Sequence, residues 1–251
     1  EKIRFYKASF PTKRKLHITV GHTTVMATIH FFTLPPGQSS AAGAAGATSF
    51  DFDREYLTAD ELVDTSAEMP AGSQWAYVIF ERAVTAPAKS LLIGSVLDTD
   101  VHANKCRIVL SGRVLSTIDP NNKEEVGRLR VFKNKQKVGA IKRVVDEHTV
   151  IGKDLFKKET DITKFLNLKV TLNGTLQGYI EGSFGSSGQY KVRFNQEHGL
   201  PISQGKKGKG KGKKEEEGDD PDGEAPAQGG KIILAFKKYL FAADSHKGII
   251  Q

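Results

Sequence analysis

A chain of 251 residues exceeds the commonest domain size, so two units with separate cores are expected, and no apolar stretch approaches the roughly 20 residues that span a bilayer. A lone cysteine, Cys106, excludes an internal disulfide, and the absence of Cys/His clusters excludes a structural zinc motif, which points to a reducing compartment. The formal net charge of +8 is segregated: residues 1–125 carry −1, residues 126–200 carry +7 and residues 201–251 carry +2, so a polyanion is weighed as partner for the middle, against a merely basic surface.

The chain opens on Glu1-Lys2-Ile3-Arg4-Phe5-Tyr6 without an initiator methionine or the regions of a signal peptide, and it reads as a fragment. Strands are expected throughout, because runs rich in Val, Ile, Thr, Phe and Tyr alternate with period two between turn residues. Leu16, Ile18 and Val20 mark the first, and Val25, Ala27, Ile29 and Phe31 resume the pattern after a short break. Residues 33–73 shift to Pro, Gly, Ala and Ser and are expected to form an insertion loop. Its acidic half, 51–68, holds one helix signal, the capping-box spacing Thr58-Ala59-Asp60-Glu61. Further strands are expected at 74–80, 90–96 and 105–115. In the last, Cys106, Ile108 and Leu110 should share the inner face, and Lys105 and Arg107 the outer one.

A second unit is expected from residue 131, its strands running from 128–132 through 138–145 and 149–151. Asn173-Gly174, between 170–172 and 175–180, predicts a type I′ hairpin, because both positions need positive φ. A looser turn at 182–188 leads to a strand at 190–194, and 232–241 supplies a closing strand. Between those two, residues 204–230 run from Lys/Gly to acidic to Pro/Ala/Gly and are expected to be disordered. Within them, 206–214 suits nuclear import or loose RNA contact as well as a plain solvated loop. The resulting fold class is all-β, two antiparallel β-barrel domains at 1–130 and 131–251, since closure removes exposed sheet edges.

Catalytic patterns fail on inspection. Residues 205–211 spell G-x-x-x-x-G-K, but Gly212 replaces the Ser or Thr that would hold magnesium, and no apolar strand precedes the run. Gly185-Ser186-Ser187-Gly188 lacks the spacing of a nucleophile elbow. His17, His22 and His30 match no metal motif, and Cys106 alternates with inward residues as a small buried hydrophobe. No catalytic residue, cofactor or metal is expected of these residues.

Longer strings say more than composition. Leu16-His17-Ile18-Thr19-Val20-Gly21-His22-Thr23-Thr24-Val25-Met26 and Leu92-Ile93-Gly94-Ser95-Val96-Leu97-Asp98-Thr99-Asp100-Val101-His102-Ala103-Asn104-Lys105-Cys106-Arg107 closely resemble the third domain of the eukaryotic selenocysteine-specific elongation factors. Val150-Ile151-Gly152-Lys153-Asp154-Leu155-Phe156-Lys157-Lys158-Glu159-Thr160, Ser183-Phe184-Gly185-Ser186-Ser187-Gly188 and Phe236-Lys237-Lys238-Tyr239 resemble their fourth domain. The likeness covers all but the two insertions.

The resemblance implies the last two domains of a cytoplasmic translation GTPase, with a nuclear pool as an addition. Its GTP and magnesium would lie in a nucleotide-binding domain that this chain lacks. Implied partners are selenocysteinyl-tRNA, the SECIS-binding protein with SECIS RNA, and the ribosome, for delivery of selenocysteine at UGA codons; no membrane is implied, and a monomer is expected. The third domain would be an elongation-factor barrel whose 94–107 turn and strand face the tRNA, with Lys105 and Arg107 meeting phosphates and Asp98, His102 and Asn104 bonding the RNA backbone; a plain turn over Asp98 to Asp100 is the alternative. In the fourth domain Lys142, Arg143, Lys157 and Lys158 are the candidate RNA-binding residues. Lys133, Lys135 and Lys137 are either phosphate contacts or a solvated hinge. A scaffold gripping the SECIS-binding protein with little RNA contact is the alternative function.

Overall fold

Alternation decides where the first strands lie. In β1 (Lys15–Val20) Leu16, Ile18 and Val20 are buried, and in β2 (Thr23–Thr33) Val25, Ala27, Ile29 and Phe31 follow the same rule. The two strands pair antiparallel, Val20 opposite Thr23. The structure, a computed structural model, describes residues 1–36, 50–66, 69–70, 72–98, 102, 104–185, 188–201, 230–241 and 249–251. The chain divides into two units, Glu1–Lys133 with Lys238–Gly248, and Asn134–Lys237 with Ile249–Gln251.

In the first unit β3 (Tyr56–Thr58) and β4 (Gln74–Phe80) both pair with β2, and β5 (Leu91–Ser95) joins β1 to β6 (Ile108–Arg113). The antiparallel order β4-β2-β1-β5-β6 curls about a core of Phe10, Leu16, Ile18, Ile29, Phe31 and Val109. The expectation of a plain insertion loop at 33–73 needs correction. Its described second half supplies β3, and Phe50 and Tyr56 join Phe32 and Trp75 in an aromatic cluster. The capping-box helix is absent there too, because Tyr56–Thr58 is drawn out by backbone pairing with Phe32 and Thr33 on one side and with Val131 and Phe132 on the other. A short helix forms elsewhere, α1 (Lys123–Gly127), where Asn122 accepts the Glu124 and Glu125 N–H groups.

The second unit is a closed barrel. Its strands are β7 (Val131–Asp146, from Asn134 onward), β8 (Thr149–Lys153), β9 (Lys169–Leu172), β10 (Leu176–Phe184), β11 (Gln189–Phe194) and β12 (Lys231–Tyr239). They hydrogen-bond in the ring β7-β8-β11-β10-β9-β12 and back to β7, which leaves no open edge in the ring. A final short strand, β13 (Ile249–Ile250), lies beside β12. Asn173 and Gly174 take φ of 52° and 82°, and Thr175 N–H donates to Leu172 C=O, the tight turn expected. Ile180, Tyr190, Val192, Ile232 and Leu234 fill the core. The chain is therefore nearly all β; the disorder expected at 204–230 falls, but for Gly230, outside the described residues.

Candidate nucleic-acid interface

Among the described residues of 94–107, only Gly94 and Ser95 lie in a strand. β5 ends at Ser95 and β6 does not begin until Ile108, so Lys105 and Arg107 are not strand residues, contrary to expectation. The inner face also differs. Gly94 pairs with Leu110 but Ser95 pairs with Ile108, a bulge that gives β6 one extra residue. Val109 and Leu110 are consequently both buried, at 0% and 5% exposure, while Ile108 turns outward at 45% and Cys106 is half-buried. Gly94 is needed at this crossing, because a Cβ there would come within 2.8 Å of both Leu110 and Leu16.

Asp98, His102, Asn104 and Lys105 are exposed, and Asn104 takes a left-handed φ of 48°. The base of the segment is stapled by Val96 N–H to Arg107 C=O at 2.9 Å. Arg107 is half-buried, and its guanidinium donates to Leu97 C=O at 3.4 Å, which ties it to the segment rather than projecting it outward. Lys105 is the cation this segment presents best.

In the second unit a bulge between Ile141 and Arg143 puts two consecutive cations, Lys142 and Arg143, on the solvent side of β7. Lys157 and Lys158 lie beyond β8, where Leu155 and Phe156 anchor the loop in the core and leave the two lysines exposed. Gly188, with φ of 73°, lies against the Phe156–Lys157 backbone, where a Cβ would come within 2.6 Å of the Phe156 carbonyl. The strings at 150–160 and 183–188 thus meet in space.

Lys157 also borders an open pocket of about 360 Å³ that it shares with Lys137, Val138, Asp154 and Thr160. Lys137 is no solvated hinge charge, since its ammonium sits 4.9 and 5.1 Å above the Phe156 and Phe165 rings. Lys133 is taken as well, bonded to Asp60 at 2.7 Å, while Lys135 is exposed. At a strand rise of about 3.3 Å per residue, Lys142 and Arg143 stand roughly 15–20 Å along β7 from this pocket, so the four candidate cations form two patches. Tyr190 lies in the core behind them. Burial pushes its phenol well above the ordinary range, with the Asp154 charge adding to the shift.

Among the described residues Lys2, Lys15, Arg54, Lys133 and Lys191 make ion pairs. None uses Lys105, Arg107, Lys142, Arg143, Lys157 or Lys158, so among the described residues no carboxylate neutralises the candidates. Among those residues, also, no three His, Cys, Asp or Glu side chains come together as a metal site. His30 packs between Tyr77 and Phe241, where burial, helped by the charge of Lys13, holds its pKa below the usual value. Sequence reading passed over Arg193 and Lys169, although the alternation Tyr190-Lys191-Val192-Arg193-Phe194 already turned Arg193 outward.

Residues 1–112 match the family model of the third domain of the eukaryotic selenocysteine-specific elongation factor, and residues 127–247 match that of the eEFSec C-terminal RIFT domain. The chain belongs to the selenocysteine-specific elongation factor family. The selenocysteine-specific elongation factor of Mus musculus is 37% identical over 280 residues, covering all of this chain, which spans 47% of the mouse protein. The two matched domains are the C-terminal, non-GTPase part of the factor, so GTP turnover does not reside in these residues. Two structures of elongation factor SelB from Methanococcus maripaludis, the apo form and the complex with the GTP analogue GppNHp, superpose with a TM-score of 0.49 at 17% and 16% identity, each over 95% of this chain and 40% of theirs. So loose a superposition adds nothing to the strand pairing described above.

Proposed function

We propose that these two domains hold selenocysteinyl-tRNA and engage the SECIS-binding protein and the ribosome, so that the factor delivers selenocysteine at UGA codons in the cytoplasm. One observation carries the reading: Lys105, Lys142, Arg143, Lys157 and Lys158 are exposed on the two β units with no carboxylate within 4.0 Å among the described residues. Cations left unpaired on a rigid frame release counterions when phosphate replaces water, and the A-form acceptor arm of a tRNA presents phosphates and 2′-hydroxyls to such a surface. GTP and magnesium are assigned to the part of the factor outside these residues.

A second reading rests on apolar exposure. Val138, Leu166 and Phe184 are 51%, 37% and 43% exposed on the second unit, which suits a protein partner such as the SECIS-binding protein. Pull-down from nuclease-treated extract separates the two readings. Loss of the partner after nuclease supports the RNA-borne one, and retention supports the scaffold. Reversal of Lys157 and Lys158 to Glu is expected to weaken tRNA binding by about tenfold or more, while reversal of Lys207 and Lys209 changes it little. Equal losses from the two pairs would remove Lys157 and Lys158 from the site.

A further inference from the structure

One register row on the outside of the second barrel carries a pattern that the proposed function does not use. Lys169 on β9 lies opposite Tyr179 on β10, and Tyr179 lies opposite Arg193 on β11. Their neighbours Val170, Ile180 and Val192 point into the core, so all three side chains leave on the solvent face. Lys169 and Arg193 are exposed and Tyr179 is half-exposed. Among the described residues neither cation has a carboxylate within 4.0 Å, and no cation sits over the tyrosine ring. The nearest acid along the strand, Glu181, is held by Lys191 at 2.9 Å.

We infer that this row binds an unpaired RNA nucleotide, its base stacked on Tyr179 and its flanking phosphates held by Lys169 and Arg193. The inference rests on the RNA-binding reading and adds a recognition mode to it. With strands about 4.8 Å apart, the cations stand roughly 10 Å from each other across the ring, a span that brackets one nucleotide and the phosphates on either side. An aromatic face on a sheet accepts any base, and the two charges supply the phosphate attraction that a neutral stacking site lacks. A duplex keeps its bases stacked inside the helix and offers the ring nothing. An acidic peptide would satisfy the cations but would leave the aromatic face without a planar partner.

The test uses the 251-residue chain, with a fluorescein-labelled 12-nucleotide oligouridine and a blunt RNA duplex of equal charge as probes. Tyr179→Ala is expected to weaken oligouridine binding roughly 5- to 100-fold and to leave duplex binding unchanged, while Tyr179→Phe keeps wild-type affinity for both. Arg193→Gln and Lys169→Gln should each flatten the salt dependence of oligouridine binding by about 0.7 in the logarithmic slope. Equal oligouridine binding by Tyr179→Ala and wild type would overturn the proposal, as would displacement of oligouridine by polyglutamate as effective as displacement by unlabelled oligouridine. A Tyr179 null effect with binding lost on reversal of Lys157 and Lys158 sinks this site alone; absence of RNA binding by the wild-type chain sinks the functional reading beneath it.

Discussion

The ring of Tyr190 lies over Gly139 and Gly152, fully buried, and packs edge-on against Phe156. Its hydroxyl goes in with it and finds no hydrogen-bond partner among the described residues. A buried hydroxyl left unsatisfied costs about 1–3 kcal/mol, whereas the ring's packing is a gain that phenylalanine would keep. Tyr190→Phe is therefore expected to stabilise the second unit by about 1 kcal/mol in urea unfolding, against the usual trend of core substitutions. Destabilisation of that size would mean that the hydroxyl has a partner in solution. At the same scale Arg107 shows why charge alone is a poor guide to a site: its guanidinium is drawn to Leu97 C=O, while Lys105, two residues earlier, stays exposed.

At the level of elements, close approaches and bulges do the positioning. A Cβ on Gly152 would come within 2.3 Å of the Tyr190 ring, and that ring has no room to move. Gly152→Ala should cost about 1–3 kcal/mol or more of second-unit stability, while Gly112→Ala, with nothing within 4 Å of the new methyl, should change stability by less than about 1 kcal/mol. Thermal melts of the two variants check the contrast; equal effects would contradict the packing described. Strand existence was legible in the chain, because period-two alternation at 16–20 and 25–31, the aromatic and β-branched content of 74–80 and the Asn173-Gly174 turn each depend on local chemistry. Register was not. The bulge that turns Ile108 outward and the one that exposes both Lys142 and Arg143 appear only when two strands pair. β3 was hidden for a related reason: three residues in an acidic stretch become a strand through partners far away in sequence, Phe32 and Val131 among them. The capping-box spacing at 58–61 was a local signal that this pairing overrode. Of the candidate site, Lys157 and Lys158 could be read from a matched string and Lys142 and Arg143 from a basic strand, but the seat of Lys137 over two rings and the row through Tyr179 needed the folded neighbours.

Over the whole molecule, charge is distributed as a polyanion binder requires. The excess of +7 lies in residues 126–200, which supply most of the second barrel's strands, and the first 125 residues are close to neutral. Unpaired surface cations bring sequence-independent affinity for phosphate, and the bases or shapes read on top of that set which RNA is preferred. The most direct measurement is the affinity of the chain for selenocysteine tRNA as salt rises from about 50 to 200 mM. With four to six phosphates neutralised, log K should fall against log salt with a slope of about −3 to −5, and reversal of Lys142, Arg143, Lys157 and Lys158 together should cut the magnitude of that slope by about 3, leaving what Lys105, Lys169 and Arg193 contribute. A slope already near zero in the wild-type chain, or one left unchanged by that reversal, would contradict the account.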